Sequence, residues 1–101
     1  MKKNSNRSGI VMYIYIFVCT KFMGTRFEIR DMLRSIDIVT EVVPLFDNSL
    51  LIGSDESATR IAREIRNIVP ARRFLISRIS NQRQGWLPRN IWEFIKVDET
   101  A

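Results

Sequence analysis

"VMYIYIFVC", residues 11–19, is the stretch whose reading decides the fold. Every residue in it is aliphatic, aromatic or sulfur-bearing, and no polar position interrupts the run. A strand in the middle of a sheet, covered on both faces, reads in this way. A competing reading exists, because the basic start "MKKNSNR" followed by the 11 residues "GIVMYIYIFVC" mimics a secretion signal. The run is rich in β-branched and aromatic side chains, however, and Cys19-Thr20-Lys21 is no small-residue cleavage site. We therefore read a central strand.

Outward from that strand, "KFMGT" is a loop and Thr25 is the expected N-cap of a helix running through about Ser35. Glu28, three residues on, completes a capping box. Ile29, Leu33 and Ile36 fall at i, i+4 and i+7 and mark the buried stripe. "DIVTEVVPLF" (37–46) reads as a second strand, and Pro44 puts it at a sheet edge because proline cannot donate to a ladder. "DNS" is turn chemistry, and "SLLIG" (49–53) returns as the other arm of a hairpin. Ser54 or Asp55 is expected to cap a second helix from about Glu56 to Ile68, with Ala58, Ile61, Ala62, Ile65 and Ile68 in one stripe. Pro70 stops that helix. "RRFLISRI" (72–79) is a fourth strand, and Pro88 opens a short final helix carrying Ile91, Trp92 and Ile95.

The order β-α-β-β-α-β with right-handed crossovers predicts an α+β, ferredoxin-like sandwich with a short C-terminal helix. Both long helices then share one sheet face. The other face still carries apolar side chains and needs a cover, either the tryptophan-bearing tail or a second copy of the chain. Tyr13, Tyr15, Trp86, Trp92 and Ile95 are the expected cover or dimer contacts. The polar basic residues 1–9 read as a disordered arm, 10–97 as a single domain, and 98–101 as a disordered tail.

The 101 residues fit one domain, with 46% hydrophobic residues near the globular norm. No run approaches the ~18 uncharged apolar residues that a membrane span needs. A single cysteine, Cys19, excludes an internal disulfide framework and fits a reducing, cytoplasmic compartment. The chain has no histidine, which leaves a catalytic thiol without its usual base and makes a zinc site untenable. No metal and no other cofactor is expected.

Sixteen Lys and Arg against eleven Asp and Glu give a net charge of +5, and twelve of the sixteen are arginine. Arginine grips phosphate and carboxylate bidentately, so the balance suits an acidic partner. Arg26, Arg30 and Arg34 line one ridge of the first helix at i, i+4 and i+8. That ridge reads either as a solvated face or as a contact for phosphates or an acidic protein. On the second helix, Glu56 and Glu64 sit four residues either side of Arg60, so its ridge is largely self-paired. "SNQRQG" (80–85) is either a loop, with Gly85 supplying the turn, or a site where Arg83 and its amide neighbours meet phosphate and Trp86 stacks on a base. Lys21 joins Arg26, Arg30, Arg34 and Arg83 as a candidate contact. No Gly-rich phosphate loop, nucleophile–base pair or paired-carboxylate spacing is present, so no catalytic residue is expected.

"RRFLISRIS....GWLPRNIWEFI" and "SDESATRIAREI", taken with the element order, resemble the small SinR-like proteins, relatives of the CRISPR adaptation protein Cas-two, a group that includes VapD-type ribonucleases and the GhoS-type antitoxin. The likeness covers about residues 12–96. It implies a ferredoxin-like fold, a homodimer with facing sheets, and nucleic acid as the usual partner. Nuclease members carry an aspartate just after the first strand, where this chain has Cys19-Thr20. The expectation is therefore a non-enzymatic homodimer that binds nucleic acid or an acidic protein in a defence, toxin–antitoxin or mobile-element system. The alternatives are a metal-dependent or degenerate nuclease of the same fold and a purely structural dimerisation module.

Overall fold

A computed structural model describes residues 12–20 and 23–100. The expected disordered arm at 1–9 and the candidate Lys21 lie outside the described residues. The elements run β1 (Tyr13–Cys19), α1 (Arg26–Arg34), β2 (Glu41–Phe46), β3 (Ser49–Ser54), α2 (Ala58–Ile68), β4 (Phe74–Arg78) and α3 (Arg89–Lys96), closing with a 3-10 turn at Val97–Thr100. The sheet has four strands in the order β2-β3-β1-β4, and every pairing is antiparallel. This small α+β arrangement is compatible with a ferredoxin-like fold.

β1 lies between β3 and β4, as its uninterrupted apolar run requires. Phe17 pairs with Leu50 on one side and Ile76 on the other. β2 is an edge, and Pro44 sits beside a register shift in its ladder. The capping box forms: the Glu28 amide donates to Thr25 Oγ1 at 3.2 Å, and the Thr25 amide donates to Glu28 Oε1 at 2.9 Å. Gly24, with φ 131°, turns the chain into that helix in a conformation that favours glycine. Gly85, expected to supply the turn of "SNQRQG", has no positive φ and lies in a stretch with no regular structure.

Two cores share the sheet. Tyr15, Phe17 and Cys19 of β1 pack with Ile29 and Leu33 of α1 and Ile61 and Ile65 of α2. On the other face, Ile14 and Leu51 pack with Ile91 and Ile95 of α3. Each such side chain, fully buried, contributes about 1.5–3 kcal/mol. β3 is buried along its whole length because both cores meet it.

Several boundaries differ from the sequence reading. β2 starts at Glu41 and not Asp37, because α1 ends in tight turns: the Ile36 amide donates to the Leu33 carbonyl and the Val39 amide to the Ile36 carbonyl. Ser57 caps α2, donor to its oxygen being the Arg60 amide. Ser54 is held in the strand end, where its hydroxyl donates to the Ile38 carbonyl and accepts the Glu56 amide. Ile68, expected in the buried stripe, ends α2 exposed. The expected free tail from 98 is also corrected: Asp98 is buried within the closing 3-10 turn.

Replacement of Phe17, fully buried and stacked on Phe74 at 5.6 Å, by Ala should cost about 3–5 kcal/mol in urea unfolding. The same change at exposed Leu75 should cost under about 1 kcal/mol. Equal losses would mean that β1 is not the middle of the sheet.

Candidate functional site

The strand alternation decides what each predicted contact can do. Phe17 points to α1 and α2, so Tyr15 and Tyr13, two and four positions away, point the same way. They are therefore not cover for the second face, as the sequence reading had them. Tyr15 is buried, and its hydroxyl donates to the Glu56 carbonyl at 2.6 Å. Burial pushes that phenol above its ordinary value of 10.0. Tyr13 lies under the Arg78 guanidinium, 4.2 Å from the ring centre.

The second face is covered by the tail, through Ile91 and Ile95, with Leu87, Trp92 and Phe94 packed at the margin. Trp86 does not join them. It is 98% exposed, so within one chain it covers nothing. The rest of β1's second face passes beyond α3: Val18 and its cross-strand partner Leu75 are both exposed.

A clamp on Asp98 fixes the C-terminal segment. One carboxylate oxygen accepts the Ile14 amide at 3.0 Å and Arg78 Nε at 3.0 Å, and the other accepts an Arg78 terminal nitrogen at 2.6 Å. Ile14 needs this partner because its carbonyl takes the Ile79 amide just where β4 ends, leaving its own N–H without a ladder bond. Burial raises the Asp98 carboxyl, but the Arg78 hydrogen bond, the Ile14 amide and the charges of Arg78 and Arg83 outweigh it and hold the group below 3.8. The clamp was not legible in the sequence, because a lone aspartate six residues past a tryptophan carries no spacing signal.

Between the end of β4 and α3, residues 79–88 cross the surface without regular structure. They are fastened at both ends, by the clamp and by Leu87 in the second core. Within them the Gln82 amide donates to Ser80 Oγ, and Arg83 donates to the Ser80 carbonyl at 2.9 Å. This segment and α3 wall an open groove of about 900 Å³. Arg83, Arg89 and Lys96 line it with Asn81, Gln84 and Trp92, and Glu93 is the one carboxylate among the lining residues. Trp86 stands free in the same segment.

α1 presents the other cationic candidates on the opposite side of the sheet. Arg26 and Arg30 each lie over the Phe27 ring, 5.1 and 5.3 Å from its centre. Arg30 also pairs with Asp31 at 3.3 Å. Arg34 closes the helix on its exposed side. α1 packs on one core and α3 on the other, so the structure does not bring Arg83 together with this ridge. On α2, Arg60 pairs with Glu56 at 3.6 Å, as the i, i+4 spacing implies.

Cys19 is buried with its thiol against the Asn48 carbonyl at 3.7 Å, and burial pushes it above its ordinary value. Among the described residues no group of three or more His, Cys, Asp or Glu is placed to hold a metal ion, and no helix is long and apolar enough to cross a membrane. Comparison of the chain with protein-family models, with curated proteins and with solved structures returns no match.

The depressed Asp98 value sets a pH dependence. The folded carboxyl titrates below the unfolded one, so its stabilisation is complete above the ordinary value of 3.8 and is lost as pH falls through the folded value. Asp98→Asn should lower stability at neutral pH by about 1–2 kcal/mol, discounted because Arg78 is half exposed. Unfolding measured down to about pH 2 should then show a smaller acid-induced loss in the variant than in the parent. Parallel curves would remove the clamp from the stability of the fold.

Proposed function

We propose that this chain is a non-enzymatic, ferredoxin-like protein that binds single-stranded nucleic acid along the groove between residues 79–88 and α3. The observation that carries this reading is the pairing of Arg83, Arg89 and Lys96 with a half-buried Trp92 and a Trp86 that solvent surrounds. Cations that follow a phosphate chain beside aromatic rings that stack on bases are what sequence-tolerant single-strand binding requires. A Trp left in water costs apolar exposure with no return in the isolated chain, whereas stacking on a base uses both of its faces. The amides of Asn81 and Gln84 add donors and acceptors beside the same track.

The resemblance to Cas-two-like proteins supports the same partner class and a defence, toxin–antitoxin or mobile-element setting. It also supports a homodimer, for which exposed Val18 and Leu75 beyond α3 offer an apolar start. Light scattering should give twice the chain mass of 11.9 kDa, and a monomer at high concentration would remove the dimer from the proposal.

Binding of fluorescein-labelled oligothymidine, followed by anisotropy over a salt series, tests the groove. Three phosphate contacts predict a log–log slope of roughly −2. Trp86→Ala should weaken binding by about 1–3 kcal/mol, and Trp86→Phe should recover part of it. If Trp86→Ala binds like the parent while Arg26, Arg30 and Arg34 changed together to Gln abolish binding, the α1 ridge is the interface and the groove is not.

A further inference from the structure

The two edges of the sheet are unlike. β2 is blunted by Pro44 and its register shift, and Glu41 opens it with a charge. β4, "FLISR", has no proline and no irregularity in its pairing, and among the described residues no strand lies on its outer side. The Ile79 amide points inward, to the Ile14 carbonyl. Antiparallel alternation then turns Ser77 and Leu75 inward as well, and leaves the amides and carbonyls of Phe74, Ile76 and Arg78 facing out. That row is an unused template for one more strand.

A groove of about 590 Å³ runs beside the same edge, between the end of α2 and β4. Arg66, Arg72 and Arg73 line it, over a floor of Ala62, Phe74 and Ile76. No carboxylate lines it, and among the described residues none pairs with these three arginines. Arg63 continues the charge along the adjoining side of α2.

We propose that the β4 edge captures an extended acidic peptide segment of a partner protein by strand addition. Backbone pairing with Phe74, Ile76 and Arg78 supplies the grip, and Arg66, Arg72 and Arg73 select the partner. Side chains of an added strand alternate between faces, so every second residue falls on the α2 side, among the arginines. Those positions take Asp or Glu. The residues between them fall on the side of exposed Leu75 and are apolar. Charge separates this occupant from the others. The chain's own "MKKNSNR" is basic, and a second β4 paired about Ile76 brings in residues 72–80, which contain no carboxylate. A nucleic acid matches the arginines but has no alternating N–H and C=O groups to pair with the edge.

The test uses the full chain and a fluorescein-labelled octapeptide of alternating glutamate and valine. It should bind at least about tenfold more tightly than four glutamates followed by four valines, and an alternating lysine–valine peptide should not bind. Arg66→Gln, Arg72→Gln and Arg73→Gln together should weaken binding about tenfold with an unchanged circular dichroism spectrum. N-methylation of every second peptide amide should abolish binding in one phase and spare it in the other. The variant Trp86→Ala should bind the peptide normally, which keeps this site separate from the nucleic-acid groove. Equal binding of the blocked and alternating glutamate peptides, or equal effects of the two N-methyl phases, would overturn strand addition. So would oligothymidine that binds through the same three arginines, or light scattering that shows self-association lost in the triple variant.

Discussion

Burial of β1 on both faces is the constraint from which the rest follows. A strand with side chains as apolar as Ile14, Phe17 and Ile16 on alternating sides needs two covers and two neighbours. α1 and α2 fill one face with branched aliphatic stripes. α3 fills part of the other, and the Asp98 carboxylate secures that segment where the Ile14 amide has no ladder partner. The cover therefore rests on a charged side chain as well as on hydrophobic contact. Its fastening also fixes residues 79–88, the segment that carries Arg83 and Trp86.

Much of the fold was legible because its signals are local and mutually consistent. The apolar run of β1, the capping box at Thr25 and Glu28, the stripes of Ile29/Leu33/Ile36 and Ile61/Ile65, and Pro44 at an edge all appear as the residues imply. The errors lie where tertiary contacts override local pattern. Ser54 looks like a helix cap but is bound to the Ile38 carbonyl, sixteen residues away. Tyr13 and Tyr15 look like interface residues, and strand parity turns them to the helices. Trp86 and Trp92 share a motif in sequence, yet one is exposed and the other packs on the second core. Asp98 was invisible because its partners, Ile14 and Arg78, are 84 and 20 residues distant.

The sheet also sorts the positive charge. A net excess of basic residues, read along the chain, looks like one diffuse property. In three dimensions it becomes separate surfaces: the Phe27-stacked pair on α1, the α3 groove lined by Trp92, and the arginines beside the open edge of β4. Each has different company, and the company sets the chemistry. Aromatic rings beside cations favour bases, whereas a row of free backbone amides beside cations favours a peptide. Cys19, at the end of β1, is buried in the core beneath α1 and α2.

Native-state hydrogen exchange at the Ile14 amide tests the central claim most directly, because that single N–H reports whether the C-terminal segment is seated on β1. With Asp98 in place it should exchange as slowly as the Phe17 and Leu50 amides, opening only when the whole domain unfolds. An Ile14 amide that exchanges orders of magnitude faster than its neighbours would show the second face open in the folded chain, and the groove built on that segment would lose its support.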